Sequence, residues 1–347
     1  MSRADDLYKL TCKKILEEGF SDEGMDVRPK WADGTPAHTV KKFGVVNRYD
    51  LREEFPIMTL RRTYWKSAVD ELLWIWQKKS NRICDLGSHV WDEWAGEDGT
   101  IGKAYGYQLG VKHQYKEGMF DQVDRVIYDL KNNPASRRIL TNIYTFQDLH
   151  EMNLYPCAYS MTFNVSGNTL NGILNQRSQD MLTANNWNVV QYSVLTHMMA
   201  QVAGLEVGEF VHVIADCHIY DRHIPAVKAM LEREGFDAPT FKMDESITDF
   251  YAFTKDSFRL EDYSAFVLGC THFNFFKDTF RALLPERVRL LDGADGVVSR
   301  LMSCVEIPAE PSGVPVRFFD SGECVESARL AQLEACMRRL DLMERIE

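Results

Sequence analysis

Cys157 follows Pro156 at the head of "YPCAYSMTF", after which apolar residues alternate as in a strand. A thiol in that place is a nucleophile if a cation lowers its pKa, because the thiolate is the reacting form. Read alone it is a buried thiol, the usual fate of a free cysteine. "NQRSQD" offers such a cation, Arg177, with the Ser178 hydroxyl and the Asp180 carboxylate beside it. The plainer reading is an ion pair at a strand end. "PASRRI" carries Arg137 and Arg138. Guanidinium groups grip phosphate in a bidentate fork, yet sequence neighbours point in different directions, and a solvated basic pair is the alternative. "DCHIYDRHI" places His218 and Tyr220 on one side of an extended segment, where both could donate to one sugar hydroxyl. A packed tyrosine and a satisfied histidine would look the same. Glu71, Trp91, Trp94 and Tyr105 set an acid among rings whose faces suit a flat heterocycle or a core. The eight cysteines form no CxxC pair, and no Cys/His spacing fits a metal site.

These residues need elements to hold them. Residues 1–20 read as an amphipathic helix and 25–40 as a loop. "VKKFGVVNRYDL" reads as a strand. In "TYWKSAVDELLWIWQKKS" the apolar residues Trp65, Ala68, Val69, Leu72, Leu73 and Trp76 recur at helical spacing. "FDQVDRVIYDLKNN" repeats that pattern and must stop before Pro134. Met161, Phe163 and Val165 alternate into a turn at 166–168, and "TLNGILNQRSQD" returns as a second strand. From Asn188 a long helix with Val190, Val194, Leu195, Met198, Met199 and Val202 on one face ends at Gly204. A strand from about Glu209 to Ile214 then runs into a polar segment. The sum is an α/β chain of the α+β type, with a large mixed sheet and packed helices. From Tyr263 the pattern changes to a small βαβα appendage, so two domains are expected, 1–262 and 263–347.

With 347 residues and 45% hydrophobic content, the chain has ample material for a core. No apolar run reaches membrane-spanning length and no secretory signal opens the chain, so a cytoplasmic location is expected. In such a chain the scattered cysteines are expected to be reduced. The net charge of −11 argues against a nucleic-acid surface but not against an anionic small ligand held by a local arginine cluster.

Each stretch is weak alone; their order is not. "DGTPAHT", "ELLWIWQ", "VWDEWAGEDG", "AYGYQLG", "DQVD", "NPASRRI", "YPCAYSMTF", "NQRSQD", "NWNVVQYSVLTHMMAQVAGLEVGEFVH" and "DCHIYDRHI" follow one another as in thymidylate synthases, which residues 25 to about 262 resemble along nearly their whole length. The resemblance implies reductive methylation of dUMP to dTMP, with 5,10-methylenetetrahydrofolate as donor of carbon and hydride, no metal, and a homodimer built on the sheet. It implies Cys157 as the nucleophile that adds to uracil C6 and makes C5 an enolate carbon. Arg177 then touches the phosphate and lowers the thiol pKa, and Ser178 is a phosphate ligand. Arg137 and Arg138 are lent to the neighbouring subunit, and Asn188 reads O4 and N3 of the pyrimidine. His218 and Tyr220 take the 3′-hydroxyl. Asp180, Trp91, Trp94 and Ala184 lie on the folate side, while Glu71 and Tyr105 organise water and proton transfer. Arg28 is the expected phosphate arginine of "VRPKWADGTPAHT".

The sequence departs from the family pattern at Ala158, Thr162, Ala184 and Ala215. Two other readings stand beside the first. One is a pyrimidine nucleotide hydroxymethylase of the same fold; Asn188 favours uracil, since a cytosine reader needs an acceptor for N4. The other is a dUMP-binding pseudoenzyme, because the short C-terminal tail of the family is replaced here. "VLGCTHFNFFKDTF" and "VRFFDSGE" resemble the C-terminal part of glutamate racemase, where the cysteine matching Cys270 is one of two catalytic bases. No partner motif for Cys270 and His272 accompanies them, so no racemase activity is expected.

Overall fold

The computed structural model describes residues 1–263, 265–268, 276–286, 288–292, 319–320, 323–324, 331, 335 and 338. The chain divides into two compact units, Met1–Asp262 and Tyr263–Glu347. In the first unit the order is α1 (Arg3–Glu18), β1 (Phe20–Ser21), β2 (Thr39–Asp50), α2 (Trp65–Trp76), α3 (Gly106–Gly110), β3 (His113–Tyr115), β4 (Gly118–Phe120), α4 (Gln122–Asn132), β5 (Leu140–Asn142), β6 (Ala158–Ser166), β7 (Thr169–Asp180), α5 (Asn185–Ala203), β8 (Glu206–Tyr220), α6 (Ile224–Leu231), β9 (Thr240–Met243) and β10 (Phe258–Glu261). The second unit holds β11 (Ala265–Leu268), α7 (Lys277–Leu283), β12 (Arg289–Asp292), β13 (Phe319–Asp320) and β14 (Glu323–Cys324). There β11 and β12 pair in parallel, as expected for strands joined through a helix. The helix expected after β12, and Cys270 and His272, lie outside the described residues.

The main sheet has six strands in the order β1-β2-β8-β7-β6-β5. Only β7 and β8 run parallel; the other pairs are antiparallel, so the sheet is mixed. The β6–β7 hairpin turns at Ser166–Thr169 and pairs Met161 with Leu174 and Ala158 with Gln176. Along β7 the side chains of Leu170, Leu174 and Gln176 alternate into the interior. Gly172 shares that phase: a β-carbon there would lie 2.5 Å from the Met161 methyl and 3.1 Å from the Thr196 hydroxyl, so its smallness is what lets α5 approach the sheet.

Two expectations need correction. The strand predicted to fade near Ile214 continues to Tyr220. It lies between β2 and β7 and is hydrogen-bonded on both edges, with Tyr220 opposite Thr39 and His218 opposite Asp180. Backbone pairing holds it extended whatever its side chains prefer. The long helix starts at Asn185, one turn before Asn188, and is buried on nearly all sides: Gln191, Ser193 and Thr196 are as covered as Val190 and Val194. It is enclosed by the sheet, α2 and α4. Its predicted stop is correct, with Gly204 in the left-handed conformation.

The main core gathers α2, α5 and the inner sheet face around Trp74, Leu72, Phe163 and Phe210. A smaller core under α1 and α6 holds Cys12, Cys217, Met181 and Ile219. Burying a side chain such as Leu72 stabilises the fold by roughly 1.5–3 kcal/mol.

Candidate active site

Cys157 sits one residue before β6, and the hairpin register brings Arg177 of β7 beside it. The Arg177 backbone N–H donates to the Cys157 carbonyl at 2.9 Å. Its guanidinium donates to the carbonyls of Pro156 (2.9 Å) and Tyr155 (2.7 Å), and Nη2 lies 3.6 Å from the Cys157 sulfur. A planar fork bound to two carbonyls cannot swing away, so its charge is fixed at the thiol. Arg28, on the loop before β2, also acts on that sulfur. Burial nevertheless wins: the free thiol is held above its ordinary pKa, with Arg177 and Arg28 pulling it down only in part. Arg177 lowers the thiol as expected from sequence, and burial outweighs it.

Tyr105 meets the cysteine from the other side. Its hydroxyl accepts the Cys157 backbone N–H at 3.2 Å. Tyr105 has φ 45°, rare for a large side chain. Gly106 follows it, packed so closely that a β-carbon would lie 2.4 Å from the Ser80 carbonyl oxygen. The strained turn aims the ring at Cys157 and sets its edge against Trp91, with centroids 4.9 Å apart. Trp91 in turn packs on Trp94 at 5.5 Å.

Glu71, buried on α2, is the acid of this group. Burial pushes its carboxyl up to about 6, against the lowering influence of Trp187, Gln191 and Trp91. Trp187 Nε1 donates to Oε2 at 2.8 Å. Gln191 links this acid to Asn188: the Asn188 amide donates to Gln191 Oε1 at 3.1 Å, and its oxygen accepts from Gln176 Nε2 at 3.2 Å. A proton-sharing carboxyl thus stands in the same buried assembly as an amide with spare donor and acceptor capacity.

The end of β8 supplies another group. His218 pairs through Nδ1 with Asp216 at 2.8 Å and meets the Tyr220 ring edge-on at 5.0 Å. Tyr220 and His223 both contact Trp31, and His223 lies 3.5 Å from the Asp180 carboxylate. Asp180 is also bound by Thr183 Oγ1 and by the Leu182 N–H, so it braces the turn that leads to Ala184 and α5. The loop that carries Arg28 is fastened by Trp31 Nε1 to Asp221 (3.0 Å), by Arg222 to Asp33 (2.8 Å), and by Arg222 over the Trp31 ring (5.1 Å). Ser178 pairs with Asp216 between these groups.

Arg137 and Arg138 are placed apart. Both are exposed on the turn between α4 and β5, and among the described residues neither guanidinium has a hydrogen-bond or ion-pair partner. Gln176, Gln191, Trp187 and His212 belong to the assembly; the family-like stretches contain them, but the resemblance gives them no role. For Gln176, Gln191 and His212 the signal is a polar residue in the apolar phase of a strand or helix. Among the described residues no cluster of His, Cys, Asp and Glu could hold a metal ion, and no helix is long and apolar enough to cross a membrane. Cys12, Cys84, Cys157 and Cys217 are free thiols.

A family model described as thymidylate synthase matches residues 6–267. The thymidylate synthase of Bacillus subtilis subsp. natto is 47% identical over 268 residues, covering 76% of this chain and 96% of that protein. That of Bacillus phage phi3T matches with the same identity and coverage. The solved structure of the thermostable thymidylate synthase A from Bacillus subtilis superposes with a TM-score of 0.72 at 46% identity, covering 75% of this chain and 95% of that one. Carried by three quarters of its length and by the assembly around Cys157, the chain belongs to the thymidylate synthase family.

Proposed function

We propose that the chain converts dUMP to dTMP, with Cys157 as nucleophile and 5,10-methylenetetrahydrofolate as co-substrate. The observation that carries this reading is the Arg177 fork at the Cys157 sulfur, with the buried Glu71–Asn188 assembly tied to it through Trp91 and Tyr105. Thiolate addition to uracil C6 moves the ring electrons to O4 and makes C5 nucleophilic. The folate supplies the one-carbon unit and the hydride. The raised thiol pKa fits a sulfur that loses its proton as substrate arrives. Asn188 binds the pyrimidine edge, and Glu71, with a pKa near neutrality, orders water and holds a proton near O4. His218 and Tyr220 bind the 3′-hydroxyl. Arg28, Arg177 and Ser178 bind phosphate. Trp91, Trp94, Asp180 and Ala184 face the folate.

The active form is a homodimer in which Arg137 and Arg138 reach the neighbouring phosphate. Their guanidinium groups, without a partner among the described residues, support this, as do Val46 and Ile173, exposed on the sheet face away from α5. Residues 263–347 are a second domain resembling the C-terminal part of glutamate racemase, without activity of its own. The test is incubation with dUMP and methylenetetrahydrofolate, following dihydrofolate by absorbance and the nucleotide by mass. A product heavier by a methylene group is expected. A hydroxymethylated product, or none, overturns the reading.

A further inference from the structure

His212 lies on β8 between Phe210 and Ile214, with no exposed surface. Its Nε2 is 2.7 Å from Gln176 Oε1. The Gln176 amide nitrogen donates to two acceptors, the Ser178 carbonyl (3.0 Å) and Asn188 Oδ1 (3.2 Å). A backbone carbonyl can only accept, so the nitrogen of Gln176 must face Ser178 and its oxygen must face His212. His212 is then obliged to donate from Nε2. Its other ring nitrogen, Nδ1, is buried with no partner among the described residues, as a bare lone pair is in the neutral Nε2–H tautomer. The far end is fixed in the same way. Gln191 Nε2 donates to the Ala68 carbonyl at 3.1 Å, which turns Gln191 Oε1 toward Asn188 Nδ2.

Asn188 is therefore addressed from both sides: its oxygen faces a donor and its nitrogen faces an acceptor. One lone pair and one N–H remain for a ligand. Uracil presents an N3–H donor and an O4 acceptor, which match that pair. Cytosine presents an N3 acceptor and an N4 donor, which match only a flipped amide. Flipping Asn188 would set two donors together at Gln176 and two acceptors together at Gln191, leaving buried polar groups unpaired.

We propose that His212, which touches no substrate, is a positioning and specificity residue: together with the Ser178 carbonyl it holds the Gln176 amide, and through Gln176 the Asn188 amide, in the orientation that accepts uracil and rejects cytosine. The proposal rests on the assignment of Asn188 to the pyrimidine edge. It extends that assignment to a residue on another strand, one amide removed from the base.

Two measurements test it on the full chain. Calorimetric binding of dUMP and dCMP gives a selectivity ratio. In His212→Met, which keeps bulk and loses the donor, that ratio is expected to fall about tenfold or more, mainly through tighter dCMP binding. His212→Gln can turn an N–H toward Gln176 and is expected to recover much of it. A folded His212→Met chain with an unchanged ratio overturns the proposal, whatever its melting temperature. The second measurement uses the unaltered chain with 15N-labelled histidine. The lock requires the His212 ring to be neutral and protonated on Nε2 from pH 6 to 8, and an Nδ1–H or doubly protonated ring overturns it. If the unaltered chain binds neither nucleotide, the proposed function fails, and the tautomer measurement then decides the lock by itself.

Discussion

Arg177 Nη2 lies 3.6 Å from the Cys157 sulfur and also donates to the Tyr155 carbonyl, while Nε donates to the Pro156 carbonyl. The charge that would stabilise a thiolate is thus anchored by the chain that carries the thiol. Removing it disfavours the thiolate and must raise the thiol pKa further. In Arg177→Gln, the pH dependence of Cys157 alkylation by iodoacetamide is expected to move to higher pH. An unmoved profile would show that the guanidinium serves only the backbone.

Cys157→Ser replaces the thiol by a far weaker nucleophile in the same place. Turnover is expected to fall by a factor on the order of 10⁴ or more. Binding of dUMP should persist, because the ligands on β7 and β8 are untouched. Dihydrofolate formation and calorimetry give the two readouts.

Glu71 gives a pH prediction with a definite sign. Its folded pKa of about 6 stands above the ordinary 4.5, so the folded chain binds this proton more tightly than the unfolded chain. The stability it contributes is present below pH 4.5 and is lost as pH rises through 6, by about 2 kcal/mol. Glu71→Gln carries no such charge. Urea unfolding at pH 4.5 and pH 8 should show the variant gaining on the parent by that order at the higher pH. A constant difference would place the carboxyl in water.

Gly106→Ala is expected to destabilise by roughly 1–3 kcal/mol, because the new methyl meets the Ser80 backbone, which cannot yield as a side-chain tip can. Activity should fall further than stability, since the neighbouring Tyr105 aims its hydroxyl at the Cys157 N–H. Melting temperature and turnover, measured together, separate the two effects.

Arg222→Ala frees Asp33 and uncovers Trp31, loosening the loop that presents Arg28. Such exposed contacts add little to stability, so the effect falls on the loop's placement. The KM for dUMP should rise about two- to fivefold with kcat little changed. A pure loss of kcat would argue that the loop acts elsewhere.

The parts of the fold that were legible in sequence are those where one face is wet. α4 shows its apolar stripe and its Pro134 stop, and the β6–β7 hairpin shows a period of two about a Ser-Gly-Asn turn. α5 and β8 were less legible because they are enclosed. A helix buried on all sides has no polar face to set its phase, and a strand paired on both edges can carry Asp216 and His218 without a propensity signal. The same enclosure hid Gln176, Gln191 and His212. Each sits in the phase of its buried neighbours, and only their hydrogen bonds show why a polar group belongs there. Cys157, Arg177, Asn188 and His218 could be named from sequence because the resemblance assigns each a role, which it does not for Gln176, Gln191 and His212 in the same stretches.

The length of β8 has an evolutionary consequence. The strand spans fifteen residues, and about 20 Å separate His212 from His218 along it. Inserting or deleting one residue between them would turn every later side chain to the opposite face. His218 would leave its position, replaced there by Ile219 after a deletion or by Cys217 after an insertion. The segment can therefore accept substitutions but not changes of length, and insertions and deletions among relatives should spare it.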